Sequence, residues 1–187
     1  MRADVLEGGF RDTPVDAARS FRAAMEAMAR PGRIRTTDVA APPSPLSSAA
    51  GTLILTLCDP GTPIHLAGAH DTQGVREWIA FHTGAPFAGR RQAQFAVGCW
   101  EDLLPLGEYR IGTSEYPDRS ATLIVEMPEL TARGATLRGP GISTTATLDL
   151  PDKIEFARNA ARFPLGLDFF LTAGTRLAAI PRSTKVD

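Results

Sequence analysis

The chain has 187 residues, 20 Lys+Arg against 21 Asp+Glu and a formal net charge of -1, which excludes a global positive field of the kind that draws a protein onto nucleic acid or anionic lipid. Its 17 Gly and 15 Pro exceed the average usage of about 12% for the pair, so many turns and short elements are expected and a helical bundle or coiled coil is not. The length suits one domain over residues 1–187, with a core over about 13–186.

Elements follow in chain order. Thr13, Pro14 and Asp16 form a helix-start signal of hydroxyl N-cap, early proline and first-turn acid. Ala18, Phe21, Met25 and Met28 then recur at helical spacing, a stripe expected to face the core or another subunit, and Pro31-Gly32 stops the helix. The segment Ser47–Cys58 mixes Thr52, Ile54 and Thr56, which favour strand, with Ala49 and Ala50, and is assigned to helix. After the turn Asp59-Pro60-Gly61, Thr62–Ala67 reads as a strand. Asp71 is placed to cap a helix running to His82, ended by Gly84 and Pro86. Gln94–Gly98 and Ala121–Met127 are strands, the second being the clearest buried one. Thr136–Arg138 and Ile142–Thr147 flank Gly139-Pro140-Gly141 as a bent hairpin; Asp152–Arg162 is a helix; Leu167–Thr172 and Arg176–Ile180 form a hairpin over Ala173-Gly174-Thr175. Interleaved helices and strands define an α/β single domain with a mixed sheet flanked by helices.

Most familiar site chemistry is absent. Cys58 and Cys99 stand alone, giving neither a zinc nor a disulfide signature. The charged start Met1–Glu7 cannot form the apolar region of a signal peptide, and no run approaches the ~20 apolar residues of a membrane helix, so a cytoplasmic protein is expected. Gly84–Arg91 is the nearest approach to a phosphate loop, but Arg90 and Arg91 replace its lysine and hydroxyl. His65, His70 and Asp71 do not have metal-ligand spacing, and His82 reads as a core or interface histidine. No metal ligands are assigned and no catalytic residue emerges. The only lysines are Lys153 and Lys185, near a helix start and in the terminal tail, neither suited to a pyridoxal phosphate (PLP) Schiff base. What remains are arginines beside turns. Arg138 with Gly139 and Gly141, and Arg182 with Thr184, are the candidate phosphate-binding residues. Solvated arginines or salt bridges are the alternative.

Several segments fall into a recognisable order: Ser20-Phe21-Arg22, Met25 and Pro31-Gly32; Leu53–Asp59 with Thr62-Pro63; Phe81–Pro86; Ala121–Ile124; Arg138–Ile142; Phe163–Asp168; Ala179–Thr184. As an ordered set, from about Thr13 to Val186, they resemble the PhnH family, a component of the bacterial carbon-phosphorus lyase system, which breaks down alkylphosphonates. The resemblance implies a subunit of a complex with G, I and J. Together with G, I and L, it would take part in displacing adenine from MgATP by phosphonate, giving a ribose 1-methylphosphonate 5-triphosphate. It further implies a fold like a reduced PLP-dependent transferase without the cofactor, MgATP being a substrate of the complex. It carries no catalytic residue onto this chain. The expectation is an accessory subunit without a self-sufficient active site. The alternatives are a purely structural subunit, and an independent transferase that retains PLP. A homodimer is possible for the chain alone.

Overall fold

The structure, a computed structural model, describes residues 7–187, so Met1–Leu6 and most of the segment that argues against a signal peptide lie outside the described residues. The first helix, α1 (Thr13–Ala29), is capped by Asp12, whose carboxylate accepts the Val15 N–H, while Asp16 accepts the N–H groups of Arg11 and Asp12 at 3.0 Å each. Thr13 is therefore the first helical residue and not the cap, because the carboxylate one position earlier takes that place. The buried side of α1 is Ser20, Ala24 and Ala27, small residues that let the helix lie close on its neighbours, whereas Phe21 and Met25 are about half exposed at 49% and 56%. The Met and Phe stripe is thus turned outward by about one residue from the core.

A two-residue strand, β1 (Arg35–Thr36), precedes α2 (Ser48–Leu57), which starts where Ser47 Oγ accepts the Ala50 N–H at 3.1 Å. Six consecutive residues of α2, Ala49–Ile54, are buried. A helix enclosed on all sides shows no polar face, which is why its period is ambiguous in sequence. Its threonines are satisfied locally: Thr52 Oγ1 accepts the Ala40 N–H and Thr56 Oγ1 donates to the Thr52 carbonyl.

Strand β2 (Ile64–Leu66) leads through a 3-10 turn at Gly68–His70 to α3 (Gln73–Thr83). Thr72, not Asp71, caps α3, since Asp71 is held by Arg76. Then come β3 (Phe95–Cys99), a short α4 (Trp100–Leu103) and β4 (Thr122–Glu126). They are followed by β5 (Ala135–Arg138), β6 (Ala146–Leu148), α5 (Lys153–Ala160), β7 (Asp168–Ala173), β8 (Arg176–Ile180) and β9 (Lys185–Val186).

Six strands form one mixed sheet in the order β1-β8-β7-β4-β3-β2. Strands β2, β3, β4 and β7 are parallel, in a register aligning Ile64 with Phe95, Phe95 with Thr122 and Thr122 with Asp168; β8 runs antiparallel to β7, and β1 pairs antiparallel with β8. Alternate residues serve two cores. Phe95, Val97, Ile124, Phe170, Leu177 and Ala179 pack under α1, α2 and α3, through Ala24, Leu53, Ile54, Val75, Trp78 and Ile79. Leu123, Val125, Phe169, Leu171 and Ile180 face the other way, onto Trp100, Leu103, Tyr109 and Phe156. There Trp100 stacks on Phe156 at 5.1 Å, and Phe156 meets Phe169 in a tilted contact at 4.6 Å. Above this second core lies a three-stranded antiparallel sheet, β6-β5-β9.

The expected hairpin is present, but β6 begins only at Ala146. Residues 142–145 belong to the turn, and the C-terminal β9 adds an edge that the sequence did not announce. Among the described residues, no helix is long and apolar enough to cross a membrane.

Candidate functional site

The candidate residues of the C-terminal half divide into two groups that face different ways. Arg138 closes β5 opposite Lys185 of β9, and the turn that follows is pressed against two other segments. A Cβ on Gly139 (φ +135°) would lie 3.0 Å from the Ser183 carbonyl oxygen, and one on Gly141 (φ +80°) only 1.9 Å from that of Ala29. Glycine is needed here for close backbone approach, with positive φ as a second reason. Arg138, Gly139 and Thr184 are thereby brought side by side. The Arg138 side chain is largely exposed and lies 3.6 Å from the Asp187 carboxylate, while Thr184 is 1% exposed with its Oγ1 unpartnered.

Arg182 belongs to a different set of contacts. Its backbone N–H and Nε donate to Asp168 Oδ1 at 2.9 and 3.1 Å, and its terminal nitrogens donate to Asp168 Oδ2, Ser120 Oγ and the Pro117 carbonyl. With the side chain 14% exposed, this guanidinium ties the C-terminal turn to β7 and to the 117–120 turn. Nearby, Asn159 brackets Leu167, accepting its N–H and donating to its carbonyl at 2.8 Å each. Asp168 and Asn159 are the organising polar residues of this corner. Neither carries a sequence signal, because each acts on a partner 8 to 14 positions away.

A second region is a cleft of about 530 Å³ beside β2. Its walls are His65–Gly68, the turn Gly89–Gln92 and Glu108. Pro86 and Ala88 hydrogen-bond to Ile64 on the outer side of β2 and bring that turn into place. Arg90 donates to Glu108 Oε2 at 3.0 Å and to the Asp102 carbonyl at 2.7 Å, and its Nε is buried without a partner. The bond to Glu108 raises the Arg90 pKa further, so this cation is permanent.

His65 Nδ1 donates to the Ala88 carbonyl at 3.1 Å, an arrangement that fixes the ring and leaves Nε2 as the free nitrogen. The His65 ring meets Tyr109 edge-on at 6.3 Å; that phenol is 4% exposed, and its hydroxyl has no hydrogen-bond partner. Burial raises the Tyr109 pKa against the opposing pull of Arg90. Arg91 and Gln92 line the same cleft and are exposed. This cleft uses the Arg-Arg pair that spoils the phosphate-loop pattern.

The carboxyl ends of the parallel strands carry a third group, which is acidic. Glu126 accepts the Ser47 N–H at 2.6 Å and the Thr172 hydroxyl at 3.0 Å. Asp102 lies over Gly68, where a Cβ would come within 1.9 Å of its carboxylate. His70, 3% exposed with Nδ1 unpartnered, feels both acids, yet burial outweighs them and lowers its pKa. The Cys99 thiol is raised by burial and by Asp102, Glu126 and Glu101, while burial pushes Cys58 up to about 12. Neither sulfur is an activated nucleophile. His70 and Asp71 do not join His65 in a metal corner, and among the described residues no group of three or more His, Cys, Asp or Glu is placed to hold a metal ion. His82 packs on the Trp78 ring at 5.0 Å.

This six-stranded mixed sheet flanked by helices, with one arginine locked into structure and two others set in a surface cleft, places the chain among single-domain α/β proteins. More narrowly, the chain belongs to the PhnH family: the family described as bacterial phosphonate metabolism protein (PhnH) matches residues 8–187. It is 40% identical over 195 residues, covering 100% of this chain and 98% of the relative, to a Rhizobium meliloti (strain 1021) protein. That relative is named alpha-D-ribose 1-methylphosphonate 5-triphosphate synthase subunit PhnH. It is 27% identical over 198 residues, covering 97% and 96%, to a Stutzerimonas stutzeri protein named as the C-P lyase subunit protein HtxG.

Proposed function

We propose that the chain is an accessory subunit of the synthase step in alkylphosphonate catabolism, in which a complex displaces adenine from MgATP by a phosphonate. The observation that carries this reading is the full-length match to a named synthase subunit, at 40% identity. Its partners are subunits G, I and J of the carbon-phosphorus lyase core, with L in the synthase step, and it works in the cytoplasm. The chain has no self-sufficient active site.

It works without PLP. The two lysines that could form a Schiff base, Lys153 and Lys185, are exposed at the start of α5 and on β9. They belong to the layer of the small sheet and not to the carboxyl ends of the parallel strands. Kinship to a reduced PLP-transferase fold is part of the same reading.

The test is reconstitution. The chain alone should release no adenine from MgATP and methylphosphonate, and the complex assembled without it should lose most of its turnover; release by the chain alone refutes the accessory role. A purely structural subunit is the second reading, favoured by the outward Phe21 and Met25 of α1, apolar surface of the kind another subunit covers. Arg138→Gln separates the two: lost turnover with intact assembly supports substrate contact, and unchanged turnover supports scaffolding. Phe21→Glu with Met25→Glu should abolish co-purification with the partner subunits while leaving the fold intact.

A further inference from the structure

We infer that the cleft between β2 and the Gly89–Gln92 turn is a site for a phosphate-type oxyanion, with Arg91 and Gln92 as donors at the rim and Arg90 as the fixed cation of the wall. Its physiological choice of ligand, a triphosphate chain or a free phosphonate, rests on the function proposed above. Anion capture itself does not.

Four observations converge on the cleft. Two guanidiniums, Arg90 and Arg91, meet two carboxylates here, Glu108, which is occupied by Arg90, and Asp102 over Gly68, so Arg91 is the cation open to a ligand. The Arg90 fork is held in place before any ligand arrives, since Glu108 Oε2 and the Asp102 carbonyl each take one terminal nitrogen. Preorganisation of this kind reduces the entropy lost on binding. Behind this wall the buried Tyr109 hydroxyl and the Arg90 guanidinium interact with each other, which helps to keep the arginine charge fixed at the wall. Lastly, His65 is oriented by its bond to the Ala88 carbonyl, which leaves Nε2 to meet a hydroxyl of a ligand.

The volume of about 530 Å³ exceeds what one tetrahedral anion fills, so the site has room for a phosphoryl chain or for the body of an ester. Of the nearby acids, Asp71 is held by Arg76 in a bidentate arrangement.

The experiment uses the full-length purified chain and ³¹P NMR titration with sodium tripolyphosphate and, separately, methylphosphonate. Wild-type protein should bind at least one of them saturably, and tighter binding of one identifies the source of the anion. Arg91→Gln should weaken that binding about ten-fold, the loss of one charge-assisted hydrogen bond, with an unchanged unfolding temperature. Arg90→Gln should weaken it further and also reduce stability, because Glu108 loses its partner. Exposed Arg133, just before β5 of the small sheet, serves as the control: Arg133→Gln should bind as wild type. Absence of saturable binding, or Arg91→Gln binding like wild type, overturns the assignment.

Assembly with the partner subunits is measured on the same preparations. If Arg91→Gln assembles and supports full turnover, the cleft is not the substrate contact and the subunit role stands; if wild type fails to assemble, the subunit role falls and the binding result stands by itself.

Discussion

Removing the Arg182 guanidinium tests whether this residue is a strut or a ligand contact. Arg182→Met keeps most of the apolar stem and deletes the charge. The Asp168 carboxylate, whose side chain is 20% exposed, would then retain only the Arg182 backbone N–H at 2.9 Å, while Ser120 Oγ and the Pro117 carbonyl lose a donor each. Breaking one side of a buried pair costs about 3–5 kcal/mol, mostly from the stranded charge. The surviving backbone bond and partial exposure favour the lower end, ~3 kcal/mol. For a chain of this size that lowers the unfolding temperature by roughly 6–12 °C.

Urea and thermal unfolding of Arg182→Met, Asp168→Asn and the double variant form the cycle. The double variant should recover about 1.5–3 kcal/mol relative to the sum of the singles. An Arg182→Met protein within about 0.5 kcal/mol of wild type, the range of an ordinary surface change, would refute the reasoning and return Arg182 to the pool of available phosphate contacts.

Three further outcomes follow from the same geometry. Gly141→Ala should cost more than ~2 kcal/mol, because the added Cβ meets the Ala29 carbonyl and cannot be relieved by a side-chain rotation; Gly174→Ala, with positive φ but open space, should cost only ~1 kcal/mol, and equal denaturation midpoints for the two would contradict this. His70 has a folded-state pKa below its ordinary 6.5, so the unfolded chain binds the extra proton first and stability should fall as pH drops below about 6.5, by at most ~1.4 kcal/mol per pH unit and ceasing once the folded-state pKa is passed. His70→Gln should lack that component in urea titrations between pH 7.5 and 5.5, and parallel curves would refute it. Iodoacetamide at pH 8 should leave native Cys58 unlabelled and reach Cys99 slowly, as burial raises both thiols; rapid labelling of Cys58 would show the packing around it to be wrong.

The main strands were legible because they obey local rules. Ala121–Met127 and Arg176–Ile180 are bounded by turn residues and become β4 and β8 with small shifts at the ends. The caps of α1 and α3 each fall one residue away from expectation, since neighbouring Asp and Thr compete for the same orphan N–H groups and only the full backbone path decides. Of the two roles open to the α1 stripe, core or subunit contact, the structure excludes the core for Phe21 and Met25, because close packing selected the smaller Ala24 and Ala27 for the buried side. Strand β9 is two residues long and exists through pairing with β5, so its sequence has no independent signal. The cleft is the extreme case. His65, Arg90 and Glu108 come from three segments, and their meeting depends on Pro86–Ala88 running beside the outer edge of β2.

The distribution of charge explains why an anion would favour the β2 side over the position usual in this class. In open α/β sheets, ligands commonly sit outside the carboxyl ends of the parallel strands, often at a helix N-terminus. Here the N-terminus of α2 reaches that edge, but its donors are committed. Ser47 N–H goes to Glu126, Ala49 N–H to the Gly174 carbonyl and Ala50 N–H to Ser47 Oγ. Glu126 therefore supplies the negative charge that the helix dipole would otherwise offer to a phosphate. Asp102 adds a second carboxylate beside His70, whose burial holds it neutral, so the edge repels a triphosphate or phosphonate. Arg90 and Arg91 line the neighbouring cleft, while both lysines lie in the opposite layer. With the strand ends acidic, the arginine-lined cleft proposed above is the flank on which a charged group would be positioned.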